Sequence, residues 1–331
     1  MTDIELSIIV PCYNTSRQRL RECMDSLEFV GSILPFEVWF IDDGSKKDYI
    51  VSYVEEQANP HFHALRQPNM GCGGARNTGI EHSTGRYVTF VDSDDFIYYG
   101  PYIEILKVLK ETQPDILAQG YSFCYKGTAT DFMMRYDIHP SACSYIIRRT
   151  LLDKLRFTPN IFHEDEEFST RLHLLDASLV TLNYSAYFYR QEPNSIIHNR
   201  ERQHVIKRFN DFIGVIERLQ HLSVDNSKAI ALRRRLDIMA MCYIITLMRD
   251  TDSHRETMNG LRMLQERQLY PLPFHWNGFR YFFILTATCL PLMVHLLTPL
   301  VKLLFKIQDA SAEKRTFAAY ADLVDADEQE V

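Results

Sequence analysis

The sequence predicts an α/β fold in which a mostly parallel sheet is flanked by helices, followed by a C-terminal helical region. Short apolar runs alternate with helix-spaced segments through the first half of the chain. Polar clusters sit where several of those runs end. From about Glu201 onward glycines become few and long helical patterns take over. Alternation of this kind implies parallel strands joined by helical crossovers, with helices on both faces. At 331 residues the chain accommodates one large domain, residues 1–200, and a smaller helical region, residues 201–331.

Each element has its own justification. Leu6-Ser7-Ile8-Ile9-Val10 is a short apolar run stopped by Pro11, which reads as a buried strand. Leu20, Cys23, Met24, Leu27 and Val30 recur at helical spacing. Phe36 to Ile41 is a second strand, closed by Asp42-Asp43-Gly44-Ser45, and Phe62 to Leu65 is a weaker third. Gly71-Cys72-Gly73-Gly74 opens a segment that reads as helix through His82. Tyr87 to Val91 is the clearest strand. Pro101 suits the first position of the next helix, with Ile105, Leu106 and Leu109 on one face. Asp115 to Gln119 is a further strand. In the second half, Ile206, Phe209, Phe212, Ile213 and Ile216 form one helical stripe, and Leu232, Leu236, Met239 and Ile244 another. The tail from Ala321 to Val331 is acidic.

Composition narrows the functional classes. Hydrophobic residues make up 46% and charged residues 24%, which supplies a core and excludes wholesale disorder. A formal net charge of -7 gives no footprint for a polyanion, so nucleic acid is excluded as a partner. An acidic chain still binds a nucleotide sugar where a metal ion neutralises the diphosphate. The seven cysteines are scattered and form no CxxC pair, which argues against a disulfide framework and a zinc site and fits a reducing compartment. The N-terminus carries neither a basic region nor a long apolar run, so no signal peptide is expected and the working location is cytoplasmic. Tyr281 to Val301 contains no Asp, Glu, Lys or Arg and approaches the roughly 20 residues of a membrane span. Pro291 and Pro299 interrupt it, and Arg280, Lys302 and Lys306 flank it. It reads either as a buried helical hairpin or as a membrane contact with basic residues at an anionic surface. Peripheral association at the inner membrane face is the expectation.

In parallel sheets ligands bind at the carboxyl ends of the strands, where Tyr13-Asn14, Asp42-Asp43 and Asp92-Ser93-Asp94 all fall. The tetrad Asp92-Ser93-Asp94-Asp95 gathers three carboxylates. They suit a hard divalent cation, Mn²⁺ or Mg²⁺, that also bridges two phosphates. A solvated, helix-capping turn is the alternative. Asp43 reads as a turn residue or as an acceptor for a base N–H, and Tyr13 as a stacking surface for that base or as rim packing. Gly71 to Asn77 matches neither GxGxxG nor a P-loop, so dinucleotide and NTPase readings have no support. Arg76, just inside a helix, is placed for a phosphate or for a neighbouring carboxylate. His163-Glu164-Asp165-Glu166-Glu167 either starts a helix, where acids suit the first turn, or supplies a general base whose neighbours raise its pKa.

Taken in order, five motifs resemble the family 2 glycosyltransferases. They are Ile8-Ile9-Val10-Pro11-Cys12-Tyr13-Asn14; Ile41-Asp42-Asp43-Gly44-Ser45; Asn69 and Gly71 with Ala75-Arg76-Asn77-Thr78-Gly79; Gly85 through Asp95; and Glu164-Asp165 before Phe168. The resemblance covers roughly residues 4 to 200 and implies a GT-A fold of the nucleotide-diphospho-sugar transferase type. It further implies that Pro11 and Tyr13 line a base pocket, that Asp43 bonds the uracil edge and that Arg76 supports the diphosphate side. Asp92, Ser93 and Asp94 match the family's DxD, with Asp94 the principal metal ligand and Asp92 contacting ribose or metal. Asp165 matches the catalytic base, with Glu164 the alternative. The implied reaction is inverting transfer from a nucleotide-diphospho-sugar, a UDP-sugar above all, to an acceptor hydroxyl. Processive members carry QxxRW. This chain has Tyr189-Arg190-Gln191-Glu192-Pro193-Asn194-Ser195 near that place, so one sugar is expected to move per turnover. The expected acceptors are saccharides or lipid-linked saccharides of lipopolysaccharide, capsule or lipid-linked oligosaccharide assembly. The competing reading is an inactive GT-A module that binds a nucleotide sugar or a protein partner.

Overall fold

A computed structural model of the chain describes residues 4–190, 201–251, 254–272, 298–299 and 302–303. The apolar segment 281–301, apart from Thr298 and Pro299, and the acidic tail lie outside the described residues. Two compact units emerge, Met1–Arg190 with Arg218–Arg235, and Gln191–Glu217 with Leu236–Val331. Residues 218–235, which follow the change to helical composition, therefore group with the sheet.

The first unit begins β1 (Leu6–Cys12), α1 (Arg17–Asp25), β2 (Phe36–Asp43), α2 (Ile50–Glu56), β3 (Phe62–Gln67), α3 (Gly71–His82) and β4 (Tyr87–Phe90). It continues with β5 (Phe96–Ile97), α4 (Tyr99–Thr112), β6 (Ile116–Ala118), β7 (Tyr125–Thr128), α5 (Ala129–Arg135), β8 (Tyr145–Arg148) and α6 (Arg149–Leu152). Then come α7 (Glu164–His173), β9 (Ser178–Thr181) and β10 (Tyr187–Phe188). The main sheet has eight strands in the order β3-β2-β1-β4-β8-β6-β9-β7, and β5 pairs separately with β10. From β3 to β4 every pairing is parallel. Beyond β4, β8 runs antiparallel to both β4 and β6, and β7 antiparallel to β9.

Pro11 does not stop β1, which runs on to Cys12 opposite Asp42 of β2. The ladder with β4 ends at Ile9 opposite Phe90. Pro11 lies past that end, where a missing N–H deprives β4 of no bond. The helix expected from Leu20 to Val30 divides. Ser16 caps α1, which ends at Asp25, and a 3-10 turn over Glu28–Ser32 completes the stripe. The fourth helix starts at Tyr99, so Pro101 is its third residue, still among the N–H groups that have no helical partner.

The core explains the register. Leu6, Ile8 and Val10 of β1 bury with Val38 and Phe40 of β2, Leu20 and Met24 of α1, and Ile105 and Leu106 of α4. Ile9 points to the other face, against α3. A Cβ added to Gly79 there would lie 2.3 Å from Ile9 Cγ2, so α3 approaches β1 at a distance no side chain permits.

In the second unit, α8 (Arg202–Gln220) and α9 (Asn226–Asp250) contribute their portions outside 218–235, together with α10 (His254–Glu266). Phe209 and Phe212 meet Tyr243 edge-on at 5.6 and 5.8 Å, and the buried Arg208 pairs with Asp250. The two expected stripes are buried except at Ile206, which is 45% exposed.

Candidate active site

The carboxyl ends of β1, β2 and β4 lie side by side, and the polar clusters read from the sequence meet there. At the outer end, the two aspartates closing β2 have different surroundings. Asp42 is fully buried and pairs with Arg66 at 2.8 Å, while its other oxygen accepts from the Ser45 N–H. Asp43 accepts on a single oxygen, from Gln67 Nε2 at 2.7 Å and the Met70 N–H at 2.8 Å. Gly44 takes a positive φ of 72°, and Asn69 packs where its side chain would be. Tyr13, one residue past β1, is 53% exposed, and Pro11 is buried beneath it in the strand. The neighbouring Asn14 closes the loop by exchanging hydrogen bonds with Ser45 and Lys46.

The turn after β4 is the best-braced part of the edge. Ser93 is buried, with its hydroxyl 2.6 Å from that of Thr15, which ties the turn to the β1 loop. Asp95 accepts from the Tyr187 hydroxyl at 2.6 Å and from the Arg190 N–H at 2.8 Å. Burial and the neighbouring Asp92 nevertheless push its carboxyl up to about 7. The Tyr187 hydroxyl also accepts from the Asp92 N–H. Arg190 donates through Nε to the Asp94 carbonyl at 2.9 Å and pairs with Glu22 at 2.5 Å, and its guanidinium lies over the Phe96 ring.

At the centre of the site, Arg76 is 2% exposed and holds three carboxylates. Its Nη2 donates to Asp92 Oδ1 at 2.9 Å, and its Nη1 donates to Glu164 Oε1 at 3.0 Å and to Asp165 Oδ1. Beneath it, Phe157 and Phe168 stack at 3.8 Å, and Phe90 meets both edge-on. This dry floor strengthens the ion pairs above it. The second oxygen of Asp165 accepts from the Ala142 N–H at 3.1 Å. The side chains of Glu164, Asp165 and Asp92 are 13%, 24% and 33% exposed, so all three open to solvent on the side away from the arginine. Burial first, and then Asp165, push the Glu164 carboxyl up to about 7. Burial also raises Asp165, outweighing the attraction of Arg76. One cation shared among three acids leaves a site with surplus negative charge and raised basicity.

Among the described residues no three His, Cys, Asp or Glu side chains cluster as a ready metal cage. The donor set does match an ion held by one or two carboxylates plus substrate phosphates. Asp92 and Asp94, on a partly exposed turn, could offer the hard oxygens such an ion takes. Arg76, Asp92, Glu164 and Asp165 are joined directly, whereas Asp43 and Tyr13 belong to the outer part of the edge. Tyr187, Gln67 and Arg66 belong to none of the motifs read from the sequence, and Arg190 stood out only as part of the stretch found in place of QxxRW. Their signal is tertiary, a polar side chain that meets a motif carboxylate only after folding.

The family model for Glycosyl transferase family 2 matches residues 7–176, just over half of the chain. YibD of Escherichia coli K12, an uncharacterized glycosyltransferase, is 36% identical over 126 residues, 38% of this chain and 36% of that protein. Glycosyltransferase GlyA of Streptococcus pneumoniae serotype 4 is 29% identical over 235 residues, 59% of this chain and 32% of that protein. The chain thus spans about a third of the length of these two relatives. Among solved structures, S. aureus TarS 1–349 in complex with UDP is similar with a TM-score of 0.63 at 20% identity, over 90% of this chain and 88% of that one. The same protein in complex with UDP-GlcNAc is similar with a TM-score of 0.60 at 19% identity, over the same shares. These likenesses fix the fold as GT-A. The motif order, the matched family model and the fold converge: the chain belongs to glycosyl transferase family 2.

Proposed function

We propose that the protein is an inverting, non-processive glycosyltransferase that moves one sugar from a nucleotide-diphospho-sugar, in the first place a UDP-sugar, to an acceptor hydroxyl. The observation that carries this reading is the Arg76 cluster, which links a donor-side carboxylate, Asp92, to a raised-pKa pair, Glu164 and Asp165. Asp43, with one oxygen fixed by Gln67 and Met70, presents its other oxygen to the base edge, while Tyr13 and Pro11 supply the apolar wall of that pocket. Asp94 and Asp92 would hold a divalent ion, Mn²⁺ or Mg²⁺, which when bound would supply Lewis-acid stabilisation of the leaving diphosphate. Arg76 acts on the diphosphate side through Asp92, whose carboxylate it orients. Asp165 accepts the proton of the acceptor hydroxyl as that oxygen attacks the anomeric carbon, and Glu164 keeps the local charge favourable to proton uptake. Attack opposite the leaving group inverts the configuration.

Support for the donor class comes from the structural neighbours. TarS is seen with UDP and with UDP-GlcNAc, and a Pyrobaculum calidifontis mannosyltransferase of TM-score 0.50 is seen with GDP-Man and Mn²⁺. The acceptor is a saccharide or lipid-linked saccharide in cell-surface glycan assembly, reached from the cytoplasmic side with peripheral contact at the membrane. No helix among the described residues is long and apolar enough to cross a membrane. The test is a donor panel of UDP- and GDP-sugars, scored by thermal shift with and without Mn²⁺ and then by nucleotide release. A UDP-sugar that stabilises the protein only with metal, and from which UDP is released, supports the reading. A protein that binds and turns over no nucleotide sugar refutes it.

A further inference from the structure

We infer that Arg218 and Arg235 are positioning residues for α7, the helix that presents Glu164 and Asp165, and that they keep its two remaining acids out of the catalytic cluster. The inference rests on the reading of Glu164 and Asp165 as the acceptor-activating pair.

The first turn of α7 carries four consecutive carboxylates, Glu164 to Glu167. Successive residues on a helix point about 100° apart, so four in a row cannot all face one cation. The structure divides them. Glu164 and Asp165 turn to Arg76. Glu166 is held by Arg235, which also donates through Nε to the Thr170 hydroxyl at 3.2 Å, one turn further along the same helix. Glu167 accepts on one oxygen from Arg218, through Nε at 2.9 Å and Nη2 at 2.8 Å, and from the Thr158 hydroxyl at 3.0 Å. Arg235 and Glu167 are each 4% exposed, so each of the two pairs has one buried member. Three arginines therefore fix the rotation of α7 about its axis.

The arrangement also solves a problem of charge. Acids are favourable in a first helical turn, but four of them, with Asp92 close by, repel one another. Pairing Glu166 and Glu167 elsewhere leaves Arg76 to the two acids at the cleft. Without Arg235, Glu166 becomes an unpaired, mostly buried carboxylate next to Asp165. A turn of the helix toward Arg76 would relieve it at the expense of the Asp165 geometry. Both arginines lie in residues 218–235, which group with the sheet. A catalytic domain cut at residue 200 would lack them.

The experiment uses the full chain and the donor that the panel identifies, with Arg218→Gln, Arg235→Gln, Arg235→Lys and the double variant Glu166→Gln/Arg235→Gln. kcat and donor KM are read from UDP release, and UDP·Mn²⁺ affinity from calorimetry. A misplacement of about 1 Å lowers rate on the order of 100-fold. Arg235→Gln is therefore expected to lower kcat by roughly 10- to 100-fold, with donor KM and UDP·Mn²⁺ affinity within about threefold of wild type. Arg218, which is 40% exposed on its side chain, should show the smaller loss. Arg235→Lys should retain most activity. Removing the stranded charge in Glu166→Gln/Arg235→Gln should recover kcat by about tenfold, which a merely structural role would not do. Wild-type kcat in Arg235→Gln, or equal inactivity of the single and double variants, overturns the inference. If Arg235→Gln does not fold, Arg218→Gln and Arg235→Lys carry the test, and a kcat loss matched by loss of UDP·Mn²⁺ binding overturns it. A fully active Asp165→Asn would instead remove the base reading beneath it, so the two failures are distinguishable.

Discussion

Replacing Arg76 by methionine strips the partner from three carboxylates at once. The guanidinium is 2% exposed, and its partners Asp92, Glu164 and Asp165 are 33%, 13% and 24% exposed. Breaking a buried pair by removing one member costs about 3–5 kcal/mol, because the remaining charge is left uncompensated. Partial solvent access of all three acids, and their ability to take up protons, place the expected loss near the lower end, about 3 kcal/mol at neutral pH. For a unit of this size that is a fall in Tm of roughly 6–12 °C. The pH dependence gives a sharper signature. Burial already holds Glu164 at about 7, above its ordinary value of 4.5, and losing Arg76 raises it and Asp165 further. An acid whose folded pKa exceeds its unfolded pKa favours the fold below the unfolded value and loses that advantage as pH rises through the folded one. The deficit of Arg76→Met against wild type should therefore be small at pH 5 and grow toward pH 8, followed by thermal or urea unfolding. A variant within about 1 kcal/mol of wild type at pH 7.5, or a deficit that shrinks as pH rises, refutes the reasoning.

His173 is fully buried, and burial lowers its pKa to about 4 from 6.5. The folded state favours the neutral ring, so stability is whole above 6.5 and declines as pH falls toward 4. Wild type should lose on the order of 3 kcal/mol more than His173→Leu between pH 7 and pH 4, and parallel pH profiles would contradict this. Asp43→Ala removes the acceptor fixed by Gln67 and Met70. It should raise donor KM by about tenfold or more, the worth of a charged hydrogen bond, with a smaller change in kcat. Arg190→Ala frees the Asp94 carbonyl and leaves Glu22 to Arg19 and Gln18, and should raise the Mn²⁺ concentration needed for half-maximal activity. An unchanged metal titration would show that the turn holds its shape without that arginine.

The parallel half of the sheet was legible because β1, β2 and β4 are apolar runs whose ends are marked by polar clusters. Beyond β4 only β6 was, within the run Asp115 to Gln119. β7, β8, β9 and β10 are two to four residues long, too short to carry a periodic signal, and β8 is a strand only because β4 and β6 flank it. The site follows the same division. Asp43, Arg76, Asp92, Ser93, Asp94, Glu164 and Asp165 could be picked out as motif members, and Arg76 was open to either a phosphate or a carboxylate partner. The structure pairs it with three carboxylates at once, from β4's turn and from α7, residues 16, 88 and 89 positions away. Contacts at such separations have no local pattern. The same holds for Arg218 and Arg235, which lie in ordinary amphipathic helices and acquire meaning only from the helix they face. Ser93 illustrates a subtler limit. The motif predicts its presence near the donor, but only the fold ties its hydroxyl to Thr15.

The central claim is that Asp165 activates the acceptor beside a donor site built around Asp92-Ser93-Asp94. It is tested most directly by Asp165→Asn, assayed side by side for UDP·Mn²⁺ binding and for sugar transfer. Asparagine keeps the size of the side chain and an oxygen for the Ala142 N–H while removing the base. Wild-type UDP·Mn²⁺ affinity is expected, with transfer reduced by about 100-fold or more, the scale of general-base catalysis. Transfer at the wild-type rate would contradict it.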